Sequence, residues 1–458
     1  MKTTIKFVAS LVFCIGLTVG CGKKQQHVFS SLKDSATVAQ LKSFAAEKEA
    51  QAKASAEAHG QTMPPELQKY FDAAKRGDWL AVSNQFNNFV NPNSGQTSPQ
   101  MRGMPWEPMI REAWGALYFF GAGDEKYSAA FGNDIIKSIP PGSIYFGGTD
   151  PGRFVITAMQ KSQVNGDPFF TLTQNALADG TYLDYLRSMY GDKIKIPTPE
   201  DSQKCFQDYT EDAQRRMQNH QLKPGENVRQ DSNGHIQVSG QVAVMEINGL
   251  LVKTIFDKNP DREFYIEESF PLDWMYPYLE PHGLIMKINR QQLPELSGEI
   301  VQRDSDYWTK YLTPMIGGWL DKDTPVKEVA TFAEKVFVKK DLSGFTGDPQ
   351  FVQNEYSCKM FSKLRSSQAG LYAWRAQHTA DAAEKERMTD AADFAFRQAW
   401  ALCPYSPETV LRYADLLMSQ SRRADALLVA ETAAKMPENR GNDQLSVLVT
   451  GLGKSQNQ

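Results

Sequence analysis

The run Ser143-Ile144-Tyr145-Phe146-Gly147-Gly148-Thr149-Asp150-Pro151, followed by Pro168-Phe169-Phe170-Thr171-Leu172-Thr173, decides how the middle of this chain is read. Each is a short apolar segment closed by glycines or polar residues, which is the pattern of a strand buried on both faces. Between them, Thr149-Asp150-Pro151 supplies a helix start, with a capping oxygen and a proline for the first turn. A helix is expected over residues 152–163, and another over 181–190 after the second strand. Strand, helix, strand, helix at these lengths predicts parallel pairing with a right-handed crossover.

Working toward the C-terminus, residues 200–240 read as a polar helix followed by a mobile loop over 223–240. Helical signal returns over 242–256. Two more strands follow, at Glu263-Phe264-Tyr265-Ile266-Glu267 and Gly283-Leu284-Ile285-Met286-Lys287-Ile288. The expected centre is therefore an α/β domain over residues 140–295, with a small, mostly parallel, Rossmann-like sheet. Toward the N-terminus, residues 63–139 are helical. Leu67, Tyr70, Phe71 and Ala74 form one apolar face and Trp79, Val82, Phe86 and Phe89 the next, broken at Gly77-Asp78, which makes a helical hairpin. Two further helices are expected over 106–120 and 124–136.

A helical connector over 296–355 leads to a repetitive region over 356–458. Ala392, Phe396 and Ala399 recur as Ala426, Ala430 and Ala433, each 34 residues later, and Pro404 and Pro437 recur at nearly that interval. On these residues the segment near 360–440 resembles tetratricopeptide-repeat proteins. That resemblance implies stacked helix pairs that bind other proteins or cap a domain. A second resemblance rests on the strand ends already quoted, together with Pro277-Tyr278-Leu279-Glu280-Pro281-His282-Gly283-Leu284. In order and content residues 140–290 are similar to the soluble extracytoplasmic part of bacterial membrane proteins of the protein O-mannosyltransferase-like family. There a strand ends in Gly-Asp-Asn-Asp, whereas Gly147-Gly148-Thr149-Asp150 stands here, and no multispanning segment occurs in these 458 residues. The glycosyltransferase-like resemblance thus implies an architecture and an envelope role and carries no activity.

The first residues give the location. Lys2 and Lys6 precede an apolar run from Phe7 to Val19, shorter than the roughly 20 residues needed to span a bilayer. Leu17-Thr18-Val19-Gly20-Cys21 resembles a lipobox, its leucine one position further from the cysteine than is usual. Residues 1–20 are expected to be a signal peptide, Cys21 the lipidated residue and residues 21–62 a tether or solvated helix. The expected place is the extracytoplasmic, periplasmic face of the cell membrane or outer membrane. Removing the signal leaves about 438 residues, room for two or three domains. A chain 41 % hydrophobic and 23 % charged supports a large core, and a net charge of −4 without a long basic block argues against nucleic acid. After Cys21 only Cys205, Cys358 and Cys403 remain, an odd number without C-x-x-C spacing. One disulfide or three buried thiols fit equally.

Chemistry is weakly signalled. The six histidines are scattered, and no metal spacing, phosphate loop or nucleophile elbow is present. Polar residues gather at three expected strand ends: Thr149 and Asp150, Asn175 and Asp179, Glu267 and Glu268. Ligands of open α/β sheets bind there, and such groups suit sugar hydroxyls or a hard cation. Asp150 and Asp179 are equally well placed as helix caps, and Arg153 is placed to pair with one of the acids. Trp274, Tyr276 and Tyr278 suit a sugar-stacking platform, or a core segment. No cofactor is expected. The sequence favours a non-catalytic envelope lipoprotein that docks other envelope proteins through its repeats, carbohydrate being a second partner class. An enzyme or enzyme subunit acting on envelope glycans is the alternative.

Overall fold

Short apolar strands need helices on their faces, and helices rich in Ala, Phe and Leu supply them. A computed structural model describes residues 36–91, 97–122, 124–148, 150–231, 234, 236–267 and 273–454. It is mostly helical, with a small mixed sheet of five strands in the order β2-β1-β5-β7-β6. These are β1 (Ile144–Gly147), β2 (Phe170–Thr173), β5 (Phe264–Ile266), β6 (Leu279–His282) and β7 (Ile285–Ile288). A separate hairpin joins β3 (Asn227–Gln230) to β4 (Ile236–Ser239).

The sheet is mixed rather than mostly parallel. β1 and β2 pair in parallel, Ile144 opposite Phe170 and Gly147 opposite Thr173. β7 is antiparallel to both β5 and β6. The reason is local: β6 and β7 are joined through Gly283, at a φ of 59°, and so short a connection permits only antiparallel strands. β6 escapes a sequence reading because it contains Pro281, which is tolerated here on the edge strand of the sheet. The segment expected as a mobile loop over 223–240 carries the β3–β4 hairpin, with Val228 opposite Val238.

By its internal contacts the chain divides into two units. The first comprises the described residues within 36–125 and 140–262. Its helices are α1 (Ala36–Ala58), α2 (Pro65–Arg76), α3 (Trp79–Phe89), α4 (Glu107–Ala122), α6 (Asp150–Met159), α7 (Gly180–Tyr190), α8 (Pro199–Gln218) and α9 (Gln241–Lys258), with β1 to β4 among them. Residues 36–58, read as tether or solvated helix, are neither. α1 buries Val38, Leu41, Phe44, Ala45, Ala52 and Ala56, and with them Lys48 and Glu49. The stripe looks thin in sequence because alanines and paired charges complete it. α2 starts with Pro65 in its first turn and ends at Gly77, whose φ of 79° allows its N–H to bond back to Ala73 and Ala74 carbonyls. Asp78 then caps α3 through Ala81 N–H at 3.2 Å.

The second unit comprises the described residues within 126–139, 263–267 and 273–454. It holds α5 (Glu125–Ser138, from Lys126 on), β5 to β7, α10 (Gly298–Ile316), α11 (Val326–Ala333) and α12 (Pro349–Gln353). Then come α13 (Glu355–His378), α14 (Ala382–Leu402), α15 (Pro407–Ser419), α16 (Arg423–Ala434) and α17 (Asp443–Lys454). Ala392, Phe396, Ala399, Ala426, Ala430 and Ala433 are all buried, where small side chains let paired helices approach. The pairs differ in length, 24 and 21 residues against 13 and 12. Arg365 on α13 is fully enclosed and donates to Asp304 on α10 at 2.7 Å, as does Tyr372. Gln368 donates to the carbonyls of Gly283 and Ile285 at 2.8 and 3.1 Å, fastening α13 to the β6–β7 turn.

Candidate functional site

The site is built on the carboxyl ends of β1 and β2, in the first unit. β1 is wholly buried and ends at Gly147, where a Cβ would lie 2.9 Å from Arg153 Cα and from Gly152 O. Only glycine lets the first turn of α6 approach so closely. Tyr145 O–H donates to Gly152 O at 3.0 Å and closes the same turn.

Asp150 lies in the first turn of α6 and accepts from Arg153 Nη2 at 2.6 Å. The Arg153 guanidinium is enclosed and stands 4.1 Å over the Phe154 ring. Asn175 sits in the single 3-10 turn Gln174–Ala176 after β2, and its Nδ2 donates to Gly148 O at 2.6 Å. Asp179 caps α7, accepting from Thr181 N–H at 2.9 Å. Burial pushes its carboxyl above the ordinary aspartate range; Glu107 adds to this, while the Thr181 amide and Arg111 oppose it.

Arg111 joins these groups. It pairs with Glu107 at 2.8 Å, donates to Thr97 Oγ1 at 2.6 Å, and lines a pocket with Asp150, Arg153 and the rings of Phe86, Trp114 and Phe154. Phe86 and Trp114 stack at 4.7 Å. The pocket has room for about one water molecule. The structure thus brings Asp150, Arg153, Asn175 and Asp179 to one end of the parallel pair. Glu267 is buried at the end of β5, in the second unit. Thr149, Glu268 and Cys21 lie outside the described residues, as do His27 and His235.

Two amides at this end, Asn248 and Gln174, were not singled out in the sequence. Asn248 on α9 is fully buried; its Oδ1 accepts from Ala178 N–H at 2.7 Å and its Nδ2 donates to Asn175 O at 3.1 Å. A lone asparagine inside the apolar run of α9 was the available signal. Gln174 is fully buried, and neither its amide nitrogen nor its oxygen has a hydrogen-bond partner among the described residues; the same holds for Asn175 Oδ1.

Elsewhere, His59, His282 and His378 each bond a backbone carbonyl. Tyr276 stacks on Trp374 at 5.1 Å, and Trp374 on His378 at 4.1 Å, forming a half-buried aromatic row in the second unit. Trp274 and Tyr278 meet edge to face. Among the described residues no group of three or more His, Cys, Asp or Glu side chains is placed to hold a metal ion. No protein-family model, curated protein or solved structure matches the chain.

Proposed function

We propose that this chain is a non-catalytic lipoprotein of the bacterial cell envelope, attached through Cys21 and docking other envelope proteins through its C-terminal helices. One observation carries the non-catalytic part: Asp150, Asn175 and Asp179, the described polar residues expected at the β1 and β2 ends, each have a structural partner nearby. Asp150 pairs with Arg153, Asp179 caps α7, and Asn175 binds the turn before α6. On this reading the strand ends are a rigid joint, and recognition belongs to α13–α17, whose buried alanines at a 34-residue interval suit stacked helix pairs. The lipid anchor is read from the signal-like run before Cys21; among the described residues no helix is long and apolar enough to cross a membrane.

Capture of partners by the intact chain from detergent-solubilised envelope tests the docking reading, with a chain lacking residues after 355 as the control. Specific capture that depends on those residues supports it, and equal capture by both chains sinks it. A Cys21→Ser chain should move to the soluble fraction; if it stays with membranes, the anchor is elsewhere.

A second reading, a glycan-binding site at the same strand ends, is favoured by the buried, unpartnered Gln174 amide, since such groups are ordinarily satisfied. Alanine at Asp150 and Asp179 separates the two readings. Loss of glycan binding with folding intact supports a site, whereas lowered thermal stability alone marks structural residues.

A further inference from the structure

Lys48 on α1 is fully buried, and its surroundings are ordered as a receptor for its charge. The ammonium stands 2.7 Å from Glu112 Oε2, donates to Tyr185 Oη at 2.8 Å and to Gln51 Oε1 at 2.9 Å, and donates to Gln163 Oε1. The rings of Phe44 and Tyr185 flank it at 4.9 and 5.5 Å. Glu112 is on α4, Gln163 follows α6 and Tyr185 is on α7, so three of the four oxygens come from outside α1.

Those three groups also hold one another. Tyr185 O–H donates to Glu112 Oε2 at 2.8 Å, and Gln163 Nε2 donates to Glu112 Oε1 at 3.2 Å. The directions are mutually consistent: each amide and hydroxyl turns its donor to the carboxylate and its oxygen to the ammonium. Two of the carboxylate's donors thus come from the seat itself and not from α1. Four oxygens converge on the single Lys48 nitrogen, which suits the compact point charge of an ammonium better than the planar fork of a guanidinium. α1 is attached through polar links as well as through its buried apolar residues. Gln40 Nε2 donates to Ala158 O at 2.9 Å, Glu47 accepts from Val164 N–H at 3.2 Å, and Ser55 donates to Pro105 O at 3.1 Å. Its only large buried apolar side chains are Val38, Leu41 and Phe44.

We propose that the seat formed by Glu112, Gln163 and Tyr185 is a binding site for a primary alkylammonium, which the chain fills in cis with Lys48, making α1 an internal ligand of the first unit. A molecule bearing a primary amine on an alkyl stem is the ligand class that fits once α1 is displaced.

The test uses Lys48→Ala in the full chain, with propylammonium to replace the three carbons and the nitrogen that the substitution removes. Breaking the pair should lower the thermal midpoint by roughly 10 °C. Propylammonium should raise it again, while 1-propanol and guanidinium at equal concentration should not, and a Lys48→Ala, Glu112→Gln chain should not respond. Equal stabilisation by propanol, or an undiminished response in the double variant, overturns the proposal. If Lys48→Ala does not fold alone, the yield on refolding is read instead: recovery with propylammonium and not with propanol supports the seat, and recovery with neither or with both refutes it.

Discussion

Gly115 on α4 and Phe154 on α6 are in contact so close that a Cβ on the glycine would lie 2.2 Å from Cδ2 of the ring. The ring cannot step aside freely, because the Arg153 guanidinium lies over it and Phe119 stacks against it at 6.1 Å. In an exposed helix, replacing glycine with alanine stabilises by about 1 kcal/mol. Here the sign should reverse, with Gly115→Ala destabilising by roughly 1–3 kcal/mol through overpacking. Thermal or urea unfolding checks it, and an unchanged or higher midpoint would contradict the contact.

Asp179 gives a pH prediction. Its folded carboxyl titrates above the ordinary aspartate value because of burial. Such a group holds its proton more tightly folded than unfolded. It therefore costs stability as pH rises from about 4 through the raised value, and nothing below both values. Asp179→Asn keeps a capping oxygen without the charge. Its stability relative to the parent should improve as pH rises over that window, measured by denaturation at several pH values. A gap independent of pH would show that the charge is not buried.

Glu49 should behave oppositely. Burial alone would raise its carboxyl, but Lys53, Lys75 and Gln68 outweigh burial and bring it from 4.5 down to about 2. Its contribution is present above the ordinary glutamate range and is lost as pH falls toward 2. Glu49→Gln should be less stable than the parent at neutral pH, and the difference should shrink toward pH 2. A difference that persists undiminished at that acidity would mean the ion pairs contribute nothing.

The cysteines Cys205, Cys358 and Cys403 are buried free thiols, and burial pushes Cys358 up to about 12. A thiol-reactive disulfide reagent needs thiolate and access. The folded chain, with Cys21 replaced by serine, should react at Cys205, Cys358 and Cys403 only on unfolding. Rapid labelling of Cys358 or Cys403 in the native state would place either of them at a surface.

The apolar runs at residues 144–147, 170–173 and 285–288, and the helical faces of residues 67–74 and 79–89, were legible because each carries its own periodicity and its own stop signal. The pairing of Asp150 with Arg153 was available from their spacing of one helical turn, and the cap at Asp179 from its place before a helix. Neither the antiparallel half of the sheet nor the edge strand with Pro281 was legible, because a strand's direction follows from what its neighbours and turns permit. Nor was the position of Lys48: a lysine among Ala, Glu and Gln reads as solvent-facing. Only the approach of α4, α7 and the segment after α6 gives its charge a carboxylate, a hydroxyl and an amide oxygen to replace water. Local order was written in the sequence through spacing, whereas the partners of buried charge were decided by tertiary structure, because desolvation depends on groups brought together from distant positions.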